Sequence, residues 1–341
     1  MDYVDNHAYW DHPHFPNEPW SRTDWSIKNT PMLTSHTGTI DNLFPGVNIQ
    51  DKPYTVSEYN HAYPNQFQAE LLPVITSYLS LNDADGFMIF TYSGGWDWHL
   101  NHVGNYFDIH RNSSLMGSFP LYAYAFRKYL IGADPAPVTI SYSRDDILRM
   151  PSYMQEWWRG HYPYDPQLAY SHRMEMTVDN PEDFDYSSLP PASTGPYSPG
   201  EGQLQWDKEG SLIIDTENFV SITGYLDRLA PLEGGRMELI SGSDFGSVAW
   251  LSLVDSALDV SSRSLLAIGT KVNNTGMIWD GTTTVHDDWG WAPVQVFPLH
   301  LELNMKTSRS HLRITPMDPE GNLRMTGADT VAADSMGFVR V

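Results

Sequence analysis

The feature that most restricts the fold of this chain is a change of rhythm near residue 130. Before it, β-prone and helix-prone segments alternate; after it, helical periodicity is lost. Residues 1–10 read as a short strand led by Tyr3-Val4-Asp5, and residues 53–59 (Pro-Tyr-Thr-Val-Ser-Glu-Tyr) as a second, rich in β-branched and aromatic side chains. The intervening residues 11–50 are dense in Pro, Asn, Asp, Ser and Thr and read as loop, with one short helix near Ile40–Phe44. Phe67, Leu71, Leu72, Ile75 and Leu79 fall at helical spacing, with Pro73 inside the pattern as a possible kink. Residues 85–92 form an apolar run expected to be a buried parallel strand. Leu115, Phe119, Tyr122, Phe126 and Leu130 space a second helix over about 114–130. Strand, helix, strand, helix is the pattern of a parallel α/β unit.

Prolines then crowd the chain from Pro135 to Pro199, so 134–205 reads as a connecting region with short strands at Val138–Tyr142 and Ser171–Val178. From 206 onward short strands recur between Gly, Asn and Asp, among them Phe219–Thr223, Val248–Leu253, Ser264–Thr270 and Val294–Leu303. That spacing predicts an antiparallel β-sandwich. The expected fold class is therefore α/β plus all-β, divided at 1–133, 134–205 and 206–341.

Composition narrows the function. Lys and Arg number 20 against 42 Asp and Glu, a net charge of −22 over 341 residues. No basic stripe interrupts it, which argues against a nucleic-acid partner, and it suits an exported protein acting on a neutral substrate. With no cysteine the chain has no disulfide framework, thiolate zinc site or cysteine nucleophile. No apolar run approaches a membrane span. Neither sequence nor composition calls for a cofactor. The chain opens on Met-Asp-Tyr-Val-Asp without a signal-peptide pattern, so a secreted or periplasmic location requires an export signal outside this sequence. The 12 Trp cluster: Trp10, Trp20 and Trp25 in one loop-like stretch, Trp96 and Trp98 in another. Large flat rings serve cores, and also surfaces that stack on sugars.

The sharpest local feature is Ser57-Glu58-Tyr59-Asn60-His61. It places Glu58 at the carboxyl end of a strand, the position at which (β/α) enzymes build their sites; taken alone, a helix cap or a surface carboxylate is the commoner role. Its neighbours carry a resemblance. His7-x-Tyr9-Trp10-Asp11-His12-Pro13, the Ser57–His61 motif with Pro64-Asn65, Ala69-Glu70, and Asp85-Gly86-Phe87 resemble the last three strands of a clan A glycoside hydrolase, a family of retaining (β/α)8 enzymes with two catalytic glutamates. Ser264–Gly269 and Asn273–Trp279 resemble the β-sandwich that follows such barrels. The resemblance implies the C-terminal portion of a (β/α)8 TIM barrel, strands six to eight in 1–133, followed by an antiparallel β-sandwich. It implies an oligosaccharide or polysaccharide substrate, Glu58 as nucleophile, and substrate contacts from His7, Tyr9, Trp10, Asn60 and one or both of Trp96 and Trp98.

The acid/base glutamate of that family closes strand four, which this sequence does not contain. A fragment lacking that half of the site is expected, inactive in isolation; the rival is a non-catalytic carbohydrate-binding or structural remnant. Asn17-Glu18 imitates the acid motif but follows His-Pro-His-Phe-Pro and reads as surface loop. His7, His12 and His14 lie close in sequence, yet interleaved prolines make loop packing or substrate contact the better reading than a metal site.

Overall fold

The computed structural model describes all residues except 1, 36, 96–97, 146–147, 149–161, 181–183, 208, 319–320 and 325. Strands β1 (Val4–Trp10), β2 (Tyr54–His61) and β3 (Gly86–Ile89) form a parallel sheet in the order β1-β2-β3. Helix α1 (Ile40–Leu43) is the short turn expected in the loop between β1 and β2. Helix α2 (Leu71–Leu81) connects β2 to β3, and α3 (Ser113–Arg127) follows β3. Pro73 lies in the first turn of α2, where its missing N–H costs nothing. Asn112 caps α3, its side chain accepting from the Leu115 N–H and donating to Gln68 Oε1 at 2.9 Å.

Helix α2 is apolar on every side because it is covered on every side: all eleven residues are buried. One flank meets the parallel sheet. The others meet α3 and a five-stranded antiparallel sheet. That sheet is built from β6 (Leu204–Asp207), β7 (Ser211–Asp215), β8 (Phe219–Tyr225), β10 (Phe245–Ser252) and β11 (Ser264–Thr270), in the order β11-β10-β8-β7-β6. Between β1–β3 and these strands, β4 (Val138–Ser143) and β5 (Met174–Asn180) pair in parallel. Strand β9 (Met237–Gly242) joins β14 (Leu301–Lys306) and β17 (Phe338–Arg340) in a three-stranded sheet. The hairpin-like pairs β12 (Val272–Thr275) with β13 (Trp291–Val296), and β15 (His311–Ile314) with β16 (Asp329–Ala332), complete the chain. The single strand expected over Val294–Leu303 is two strands in different sheets.

Strand β10 is buried along its whole length, and its period-2 alternation explains how. Phe245, Ala249 and Leu251 join the core shared with α2, α3 and the parallel sheet. Val248 and Trp250 join a second core against Met237, Leu239, Leu303 and Met305. The first core runs unbroken from Ala8 to Leu251, so the segments divided at 133 and 206 share it. Tyr122 on α3 fastens the layers: its hydroxyl lies 2.7 Å from Ser221 Oγ and 3.1 Å from Ser247 Oγ. Close approach of α3 also requires Gly269, where a Cβ would stand 3.3 Å from Ser114 Oγ.

The expected barrel portion is not what the chain builds. Among the described residues the structure is 33% strand and 17% helix, with four α-helices and small sheets, none of them barrel-like. The physical reason lies in α3. Instead of returning the chain to a fourth parallel strand, it turns its buried face to β10 and β11, leaving the parallel sheet open. Strand β3 has four residues rather than the expected eight and is an edge. Met88 is 63% exposed and Phe90 39%, so the apolar run 85–92 is not the buried strand its composition suggests.

Candidate functional site

One face of the parallel sheet is covered by helices; the other carries the candidate site. Alternation along β1 sends Ala8 and Trp10 into the core and Asp5, His7 and Tyr9 to the open face. On β2, Tyr54 and Val56 are buried, then the phase changes: Ser57 and Glu58 are both partly exposed, and Tyr59 and His61 are buried. The register shows the cause. Asn6 pairs with Val56 but His7 pairs with Glu58, so Ser57 is an extra residue, a β-bulge. The bulge brings Ser57 and Glu58 to the same face as His7. Glu58 therefore sits in the middle of β2, not at its end.

Six side chains meet there. Tyr9 donates its hydroxyl hydrogen to Glu58 Oε2 at 2.7 Å. His7 Nδ1 lies 3.6 Å from the same oxygen. The other imidazole nitrogen, Nε2, is 2.9 Å from Ser57 Oγ and 3.1 Å from Asp5 Oδ2. Ser57 donates its hydroxyl to Asp5 Oδ2 at 2.5 Å, while Asp5 Oδ1 accepts from the Ser57 N–H at 3.0 Å and from Thr55 Oγ1 at 2.7 Å. Burial pushes the Asp5 carboxyl upward, but the donors Ser57, Thr55 and His7 outweigh it and hold it below the ordinary carboxylate value. Burial, with the hydrogen bond to Glu58 and its charge, pushes the Tyr9 hydroxyl far above the tyrosine range, so it is a permanent donor. Sequence reasoning missed Asp5 and Ser57. Asp5 was within reach, two residues before His7 on an alternating strand; Ser57 depends on the bulge, which no local signal announces.

Aromatic rings border this cluster. Tyr9 makes edge contacts with Phe90 and Phe107, with centroids 6.2 and 5.2 Å away. Trp20, 59% exposed, leans on His12, Phe15 and Phe107. Farther along, Trp98, also 59% exposed, stacks on His110 and touches Tyr92. Asp108 holds the preceding Gly-rich loop by accepting from the Gly94 N–H at 2.7 Å.

Of the residues expected at the site, His7, Tyr9 and Glu58 converge and Trp98 stands exposed; Trp96 lies outside the described residues. Two of them lie away from the open face. Trp10 is buried in the core, its Nε1–H given to the Thr30 carbonyl at 2.8 Å. Asn60 is fully buried and spends its amide on the carbonyls of Phe90 and Phe107 at 2.5 and 2.8 Å. These bonds fix the backbone that carries the aromatic border. Glu18 lies exposed in a turn closed by the Ser21 N–H on its carbonyl, with no hydrogen bond or ion pair to its carboxylate among the described residues. His12 folds onto the Pro13 carbonyl and His14 pairs with Ser26. Among the described residues no cluster of three or more His, Asp or Glu is placed to hold a metal ion, and no helix is long and apolar enough to cross a membrane.

Glu70, which entered only as part of a motif, proves to be structural. Fully buried, it accepts from the backbone N–H groups of Met32 at 2.6 Å and Leu33 at 3.1 Å and lies 3.5 Å from His61 Nδ1. His61 Nε2 in turn meets the Tyr59 hydroxyl at 2.9 Å.

Comparison with known proteins found no matching family model, no matching curated protein and no matching solved structure.

Proposed function

We propose that the open face of the parallel sheet acts on glycans, with Glu58 as the nucleophile of a retaining glycoside hydrolase. The observation that carries the reading is the hold on Glu58: a carboxylate one-third exposed, gripped on one oxygen by a Tyr9 hydroxyl whose ionisation burial and Glu58 push upward, and faced by an imidazole. Such a carboxylate is stabilised as an anion and reachable by an anomeric carbon. Trp20, Trp98 and the Phe90–Phe107 border offer flat apolar faces suited to sugar rings. A chain of net charge −22 favours a neutral oligosaccharide or polysaccharide over nucleic acid, and suits an exported enzyme.

Retaining hydrolysis also needs a proton donor for the leaving group. Asp5, one imidazole away from Glu58, does not qualify: four hydrogen bonds hold it as an anion. This favours a second reading, a non-catalytic glycan-binding face.

An activated leaving group separates the two, because a dinitrophenolate departs without protonation. On a panel of 2,4-dinitrophenyl glycosides the hydrolytic reading expects a burst of dinitrophenolate that Glu58→Gln abolishes, since the amide cannot form the glycosyl ester. Absence of any burst, together with glycan binding that Trp98→Ala weakens, supports the second reading. Absence of both refutes the two together.

A further inference from the structure

The donors and acceptors around His7 can be counted, and the count leaves one solution. Ser57 has a single hydroxyl hydrogen, and it is committed to Asp5 Oδ2 at 2.5 Å. Asp5 is an acceptor on both oxygens, taking the Ser57 N–H and Thr55 hydroxyl on Oδ1. Neither neighbour of His7 Nε2 can therefore donate to it. With acceptors at 2.9 and 3.1 Å, Nε2 must carry the hydrogen. In the neutral imidazole, Nδ1 is then a bare lone pair, 3.6 Å from Glu58 Oε2. The titratable groups facing the ring are Asp5 and Tyr9 from its own strand and Glu58 from β2; Tyr9 gives its hydrogen to Glu58 and supplies none to the ring.

We infer that Asp5 is a positioning residue: through the Ser57 bulge it fixes His7 as the Nε2–H tautomer, so that in the neutral ring the Nδ1 lone pair, not an N–H, faces Glu58 Oε2. The geometric part stands on the hydrogen bonds alone; its consequence for turnover rests on the reading of Glu58 as nucleophile.

Nitrogen-15 NMR of the imidazole side chains tests it without activity. At a pH where His7 carries one proton, the wild-type protein is expected to show a protonated Nε2 and an unprotonated Nδ1. A protonated Nδ1 in the neutral ring overturns the inference with no variant needed. In Asp5→Asn the amide can donate toward Nε2, and the tautomer is expected to invert; an unchanged tautomer in a folded Asp5→Asn protein also overturns it. Should that variant not fold, Ser57→Ala serves: Asp5 remains an acceptor at Nε2, so the Nε2–H form is expected to persist, and a switch to Nδ1–H refutes the role given to Asp5. If Glu58 is the nucleophile, Asp5→Asn further lowers kcat on the dinitrophenyl glycoside by about 10²-fold or more, with KM little changed and the acid limb of the pH profile displaced. A tautomer as expected with no turnover at all leaves the positioning intact and places the failure in the glycosidase reading.

Discussion

Replacing Glu70 puts the largest single stake of the buried polar structure to the test. Its carboxylate is inaccessible to water and satisfies two backbone N–H groups, Met32 at 2.6 Å and Leu33 at 3.1 Å, with His61 alongside at 3.5 Å. These N–H groups open a short 3-10 turn, Met32–Thr34, that has no side-chain cap of its own. Met32 and Leu33 are both core residues, and Trp206 donates its Nε1–H to the Leu33 carbonyl at 2.9 Å. Glu70→Ala strands both N–H groups where no water reaches. At about 1–3 kcal/mol for each buried orphan the loss is about 4 kcal/mol, within the range of about 3–5 kcal/mol for breaking a buried polar pair. Glu70→Gln keeps one carbonyl oxygen for one N–H and turns an amide nitrogen on the other, so about half that loss is expected. Urea unfolding followed by tryptophan fluorescence reads both variants, with the slope of the transition checking that the unfolding unit is unchanged. A Glu70→Ala protein within about 1 kcal/mol of wild type would refute the accounting. Equal losses in the two variants would show that the charge beside His61, not the N–H groups, is what matters.

Three further outcomes follow from particular contacts. The Asp5 carboxyl titrates below its ordinary value of 3.8 in the folded state, so its stabilising contribution is present above that value and is lost as pH falls through the lower folded one; Asp5→Asn should lower stability at neutral pH and flatten the acid limb below about pH 4 in thermal melts across pH. Tyr122→Phe, which removes the hydroxyl bridging α3 to Ser221 and Ser247, should cost about 1–2 kcal/mol in urea unfolding; no change would mean that the two serines satisfy each other through Thr223. Trp98→Ala should weaken oligosaccharide binding in calorimetry while shifting stability by less than about 0.5 kcal/mol, as suits a side chain 59% exposed; a large stability loss instead would make Trp98 a packing residue.

What could be read from the sequence was what depends on neighbours along the chain. The helical spacing from Leu71 to Leu79 reappears in α2, and the apolar strands at Phe219 and Ser264 lie where their composition puts them. His7 and Tyr9 were expected at the site from the resemblance, and the alternation of β1 puts both on the open face. The rest depends on partners distant in sequence. A parallel strand and an α3 that leaves the parallel sheet give the same local pattern as part of a barrel; only the packing of α3 on β10 and β11 tells them apart. The exposure of Met88 and the burial of Trp10 are likewise decided by what lies across the sheet and not by side-chain type. The bulge at Ser57 moved Glu58 to its face by adding one residue to a register, and a register needs both strands to be known.

The most direct test of the central claim is covalent trapping at Glu58. The protein is incubated with 2-deoxy-2-fluoro glycosyl donors bearing a dinitrophenyl leaving group, which slow the second half of retaining hydrolysis and let a glycosyl ester accumulate. Intact mass followed by peptide mapping is expected to find one added fluoroglycosyl unit on the peptide carrying Ser57-Glu58-Tyr59, localised to Glu58, and none in Glu58→Gln. An adduct localised to any other carboxylate, or an unlabelled protein across donors whose parent sugars it demonstrably binds, would contradict it.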